Sequence, residues 1–292
     1  MTKSSSPKTD KKLVTPDVAA PAKNGSSRLQ KVDKVITDSS GGLSAEKQPA
    51  TGKQWKWFVL LPCWVLVSFV LSQVVVGVVL GGLNSAGVLN GLDFDSPVFA
   101  TVLTALVYVV MFGLMIFLPF WLRIKTDRKE LGLMGLPTWT DTLLAPAGFV
   151  VYMVLSVALI LLCGVVMPWI DVNQAQDVAF TAENLRSGGD FVLAFLSLVV
   201  LAPVLEEVML RGWLFGKLRK LPINKWLVMT MVSVVFGIMH GQWNVGINVF
   251  AMSFVMCFLR EITGTIYAGM ILHMIKNAVA FYLLFVNPSL VT

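Results

Sequence analysis

Six side chains able to do acid–base or oxyanion chemistry fall inside apolar stretches of this 292-residue chain. Glu206, Glu207 and Arg211 lie in the run APVLEEVMLRGW, His240 ends VSVVFGIMH, and His273 and Asn277 share AGMILHMIKNAV. The two histidines are the only ones in the chain. An ionisable group at membrane depth costs about 2.5–3.5 kcal/mol on insertion scales. A chain that keeps several of them in separate apolar runs is expected to gather them into one buried polar site.

Spacing suggests separate roles. Glu207 and Arg211 are four residues apart and face each other on a helix, so they can pair. Glu206 points about 100° away with no partner on its own helix, which suits a general base. The bland alternative is that all three brace helices through buried ion pairs. His240 follows Phe236 by four residues at the end of its run, where a histidine can also simply meet the interface. His273 and Asn277 share one helical face and can donate to a developing oxyanion, where donors act best in a water-poor site. Their structural alternative is an interhelical hydrogen bond worth about 1 kcal/mol. Lys276, beside this face, either snorkels to the interface or adds positive charge near a glutamate. Glu206, His240 and His273 could also form a three-ligand zinc site with an open position, but the His-Glu-x-x-His helix of common zinc proteases is absent. The expectation is therefore a site with no cofactor in which glutamate and histidine activate water, zinc being the alternative.

These groups need helices to hold them. Hydrophobic residues make up 56% of the chain, charged residues 14%, and mean hydropathy is +0.75, against about 25% charged in soluble domains. The expected fold is all-α, a polytopic membrane bundle of about seven transmembrane helices at roughly 56–82, 97–122, 142–169, 190–216, 225–240, 244–260 and 264–286. The fifth and sixth are short, as tilting or a locally thinned bilayer allows. Residues 1–56 carry eleven Lys and Arg against five Asp and Glu, and the rest carries twelve of each. The net charge of +6 thus belongs to a tail, which argues against nucleic acid as a partner. That tail, residues 1–54, is expected to be disordered; 55–189 supply N-terminal helices, and 190–286 the core that carries the polar residues. Basic loops at 123–130 and 217–225 and Arg260 at a turn alternate with non-basic ones, which by the positive-inside rule puts the N-terminus in the cytoplasm. Cys63, Cys163 and Cys257 each stand alone in apolar runs and read as small buried hydrophobes.

In this order, the segments resemble the CAAX protease and bacteriocin-processing (Abi) family of intramembrane proteases, which includes the Rce1-type CAAX prenyl endopeptidases. Its Glu-Glu-x-x-x-Arg motif is matched by Glu206, Glu207 and Arg211, its Phe-x-x-x-His by Phe236 and His240, and its His-x-x-x-Asn by His273 and Asn277. LREITGTIYAGMILH, with Arg260 and Gly264, resembles the approach to the last motif. The resemblance implies peptide-bond hydrolysis in the membrane. Glu206 and His240 would activate water, His273 and Asn277 would stabilise the tetrahedral oxyanion, and Glu207, Arg211 and Phe236 would support them. Expected partners are membrane lipid and a peptide or lipidated protein, and the expected location is a bacterial plasma membrane. The rivals are a catalytically silent scaffold or immunity protein on the same fold, a zinc-dependent version of the protease, and a proton-coupled transporter. The transporter would need a polar path to which the other spans add little beyond Gln73 and Ser156.

Overall fold

The computed structural model describes residues 51–123, 125–171, 174, 180–181 and 183–290. The tail expected over residues 1–54 therefore lies outside the description as far as residue 50. Its last residues are already helical, because the Gln54 carboxamide accepts from the Thr51 N–H at 2.7 Å and caps a helix that starts at Gly52.

Every regular element among the described residues is a helix. In chain order these are α1 (Gly52–Ser85), α2 (Pro97–Trp121), the single turn α3 (Arg128–Leu131), α4 (Trp139–Val166), α5 (Gly188–Arg219), α6 (Lys225–Met239), α7 (Trp243–Thr263) and α8 (Tyr267–Val286), followed by a 3-10 turn at Pro288–Leu290. Six of them are long and apolar enough to cross a membrane. The seventh, α6, is apolar but has only 15 residues. The sixth expected span is longer than its sequence suggests. Arg260 and Glu261, which read as a turn, form the last part of α7, and the helix ends at Gly264 with φ +75°.

Charged side chains remain in α7 because each has a partner. Arg260 Nη2 donates to the Lys129 and Glu130 carbonyls at 3.3 and 3.0 Å. Arg219 grips the Glu261 carboxylate through Nε and Nη2 at 2.8 and 2.7 Å. The buried Glu130 carboxylate pairs with Lys217 at 2.6 Å and with Lys220. Gly216 makes room for this clamp, since a Cβ there would lie 2.4 Å from the Glu130 carbonyl. The Glu130 N–H also donates to Asp127 at 2.7 Å, capping α3 and holding the Asp127 carboxyl below its ordinary range. That cap is present at neutral pH and is lost as the pH falls through the lowered value. The loops at 123–130 and 217–225 and the Arg260 turn, which share a side by charge alone, thus meet in one cluster at one end of the bundle.

At the centre, α7 packs on α4, α6 and α8, burying Val249, Met252, Met256 and Leu259. Tyr152 on α4 donates to Asn248 on α7, and Asn248 donates to Ser156 on α4, both at 2.8 Å. The Ser156 noted in the sequence is therefore part of a helix–helix lock. α5 contacts α8, α6 and α2, so residues on it can meet groups from several spans.

Candidate active site

α5 is not a regular helix. Residues Leu196–Leu201 and Val208–Leu214 are π-turns on either side of the α-segment Ala202–Glu207. Such bulges widen a helix locally and often mark functional sites. Glu206 and Glu207 sit on the segment between them.

Glu207 is fully buried, and its Oε1 accepts from Arg211 Nη1 at 3.0 Å. The same oxygen lies 3.2 Å from His273 Nδ1. Since the carboxylate is paired with Arg211, the proton on this contact belongs to the imidazole nitrogen, which donates. α8 can approach so closely because residue 269 is glycine; a Cβ there would sit 3.3 Å from Glu207 Oε2. The expected Glu207–Arg211 pair is present, and it has a further task that spacing did not reveal, which is to orient His273.

Glu206 faces another way. Its side chain retains 14% exposure, against 0% for Glu207, so it is the carboxylate that water or substrate can reach. Its Oε2 lies 3.7 Å from His273 Nε2, and its Oε1 accepts a hydrogen bond from the Tyr108 hydroxyl on α2. His240 caps the C-terminus of α6, with its Nδ1 2.8 Å from the Phe236 carbonyl. A carbonyl oxygen only accepts, so Nδ1 carries the proton and Nε2 of the neutral ring is left with a lone pair for a proton from water. Phe236 joins these parts. Its ring lies edge-on to His240 at 4.7 Å and to His273 at 5.8 Å, and the Arg211 guanidinium stands 4.6 Å from its centroid. Lys276 is within electrostatic reach of Glu206 and His240, which favours the second of its two expected roles, positive charge beside a glutamate.

Asn277 shares the α8 face with His273, but its resting partner is backbone. Its Nδ2 donates to the Leu198 carbonyl at 2.8 Å. The reason lies in α5. The Ala202 N–H, which an α-turn would bring to Leu198, goes to Ser197 instead, and residue 203 is proline, without an N–H. Leu198 is thereby deprived of its helical partners, and Asn277 fills the gap. The carboxamide nitrogen carries a second hydrogen that remains for another acceptor. Asn277→Ala is expected to lower stability by about 1 kcal/mol by leaving a half-buried carbonyl unpaired. In a Pro203→Ala background, which supplies the missing N–H, the same substitution should be milder by at least about 0.5 kcal/mol. Equal losses in the two backgrounds, measured by unfolding in detergent, would rule out this account.

The structure brings Glu206, Glu207, Arg211, Phe236 and His273 into direct contact, places His240 against Phe236, and ties Asn277 to α5 one helical turn beyond His273. Sequence reasoning missed Tyr108. The available signal was a lone phenol within the apolar α2, since a buried Tyr hydroxyl needs a partner. Among the described residues no group of three or more His, Cys, Asp and Glu side chains is gathered so as to hold a metal ion. An apolar cavity of about 450 Å³ lies between α4, α6 and α7, lined by Leu159, Val234, Ile238, Trp243 and Phe250 among others. It adjoins His240 in sequence, but no candidate catalytic side chain lines it.

An all-helical chain with six helices able to cross a membrane and a buried Glu/His cluster on the innermost ones is an integral membrane protein. Residues 188–279 match the family model described as type II CAAX prenyl endopeptidase Rce1-like. The match spans all three motifs and supports both the resemblance to the CAAX protease family and peptidase chemistry. No curated protein and no solved structure matches the chain.

Proposed function

We propose that this protein is an intramembrane endopeptidase that hydrolyses a peptide bond of a lipidated or membrane-associated protein. Glu206 takes the proton of the attacking water, and the Nε2 lone pair of His240 accepts a hydrogen bond from that water and orients it. The oxyanion of the tetrahedral intermediate is stabilised by the free hydrogen of Asn277 and by His273 acting as an imidazolium, its Nδ1–H held by Glu207 and its Nε2–H donating, and the proton on Glu206 then passes to the leaving amine. Glu207 and Arg211 hold His273, and Phe236 holds both imidazoles. The reaction is written without a metal. The basic loops favour a cytoplasmic N-terminus, and a bacterial plasma membrane is the proposed location.

The observation that carries this reading is the difference between two adjacent carboxylates. Glu207 is sealed in an ion pair, whereas Glu206 is reachable and lies 3.7 Å from His273, a residue 67 positions away in the chain. A purely structural cluster has no need to leave one carboxylate accessible. The test is cleavage of a panel of prenylated, acylated and unmodified peptides by the purified full chain in liposomes, with and without chelator. Cleavage that survives the chelator supports the proposal. Cleavage lost to the chelator and restored by zinc would turn Glu206, His240 and His273 into metal ligands. No cleavage across the panel would favour a silent scaffold.

A further inference from the structure

We infer that Tyr108 is the positioning residue of the base, fixing which oxygen of Glu206 receives the proton of the attacking water. The inference rests on the proposed role of Glu206. α2 is apolar almost throughout, with Thr101, Thr104 and Tyr108 as its only side chains bearing hydroxyl groups. Thr101 and Tyr108 are seven residues apart, two turns on one helical face. Both meet α5. The Ser197 hydroxyl donates to Thr101 Oγ1 at 3.1 Å, and the Tyr108 hydroxyl donates to Glu206 Oε1. The two contacts advance in the same direction along both helices, from 101 to 108 and from 197 to 206, so α2 and α5 run parallel in register.

The consequence is chemical. With Oε1 taken by Tyr108, Oε2 is the oxygen that faces His273 and remains open to water. The other charged or titratable groups around this carboxylate are Glu207 on α5, His240 at the end of α6, and His273 and Lys276 on α8. Among the hydrogen bonds of the described residues, Tyr108 is the one side chain donating directly to Glu206. As the water oxygen bonds to the substrate carbonyl carbon, its proton passes to Oε2, and the phenol keeps its own proton throughout. A carboxylate whose side chain turned freely would present either oxygen, and the water would lose its alignment.

The test uses the full chain in detergent, labelled with [ζ-13C]tyrosine. The chain has four tyrosines, so Tyr108→Phe assigns the Tyr108 resonance by its loss. Glu206→Gln should shift that resonance and leave those of Tyr152, Tyr267 and Tyr282 in place. In parallel, Tyr108→Phe should lower kcat on a fluorogenic prenylated peptide about tenfold or more, with KM changed less than twofold, since the phenol aligns the base and does not hold substrate. A Tyr108 resonance indifferent to Glu206→Gln overturns the inference, as does an unchanged kcat in the phenylalanine variant. If the wild type cleaves nothing, the protease reading has failed and the resonance alone decides whether Tyr108 holds Glu206. If Tyr108→Phe does not fold, Tyr152→Phe, Tyr267→Phe and Tyr282→Phe assign the other three resonances, and Glu206→Gln still decides.

Discussion

Glu206→Gln is expected to lower kcat/KM for peptide cleavage by about 10³-fold, within the range of 10²–10⁴ for loss of a positioned general base. The folded fraction and thermal unfolding should stay close to wild type. Glutamine has the shape of glutamate, and its carbonyl oxygen can still accept from the Tyr108 hydroxyl, so the contact between α2 and α5 persists. What is lost is the proton acceptor at Oε2. The comparison with Glu207→Gln is informative, because that residue is fully buried and ion-paired; its substitution should damage stability and activity together. A Glu206→Gln protein that cleaves at the wild-type rate would remove Glu206 from the chemistry and leave the cluster a structural one.

Arg211→Met is expected to be the most damaging single change to stability, at about 3–5 kcal/mol. It leaves the Glu207 carboxylate buried and uncompensated. It also removes the cation over Phe236, the ring that packs against both histidines. Replacing the whole pair, as in Glu207→Leu with Arg211→Met, should restore much of that stability, because two apolar side chains of similar volume avoid the desolvation of two charges. Activity should not return, because His273 Nδ1 would have lost the oxygen that orients it. Stability and turnover, measured on the single and double variants, therefore should part company. Recovery of both would mean that Glu207 braces the bundle and does nothing for His273.

The motif residues and their helical register were legible in the sequence because i,i+4 spacing and the cost of charge in hydrocarbon are local properties. The Glu207–Arg211 pair and the His273 and Asn277 face followed from them directly. The two π-turns of α5 were not legible, since an α-helical count gives no sign of an extra residue in a turn. Pro203 did hold a clue, as a proline within a helix leaves a carbonyl without a donor. The Leu198–Asn277 bond is where that clue resolves. Tyr108 was hidden for another reason. Its meaning depends on α2 lying beside α5, a contact across 98 residues that composition and period cannot encode. The C-terminal end of α7 falls beyond the expected residue 260 because Arg260 and Glu261 look like a turn until Glu130 and Arg219 are known to wait for them.

Hydrolysis has a second reactant, and the length of α6 bears on how it arrives. Fifteen residues rise about 22 Å, whereas the hydrocarbon layer is about 30 Å thick. α6 exposes Leu227, and Val234 and Ile238 toward the cavity shared with α4 and α7; a helix this short is accommodated by a locally thinned bilayer. It stops at His240. The shortfall of about 8 Å has to be met at one end or the other of α6, and at the His240 end what meets it is headgroup and water beside the imidazole proposed to orient the attacking water.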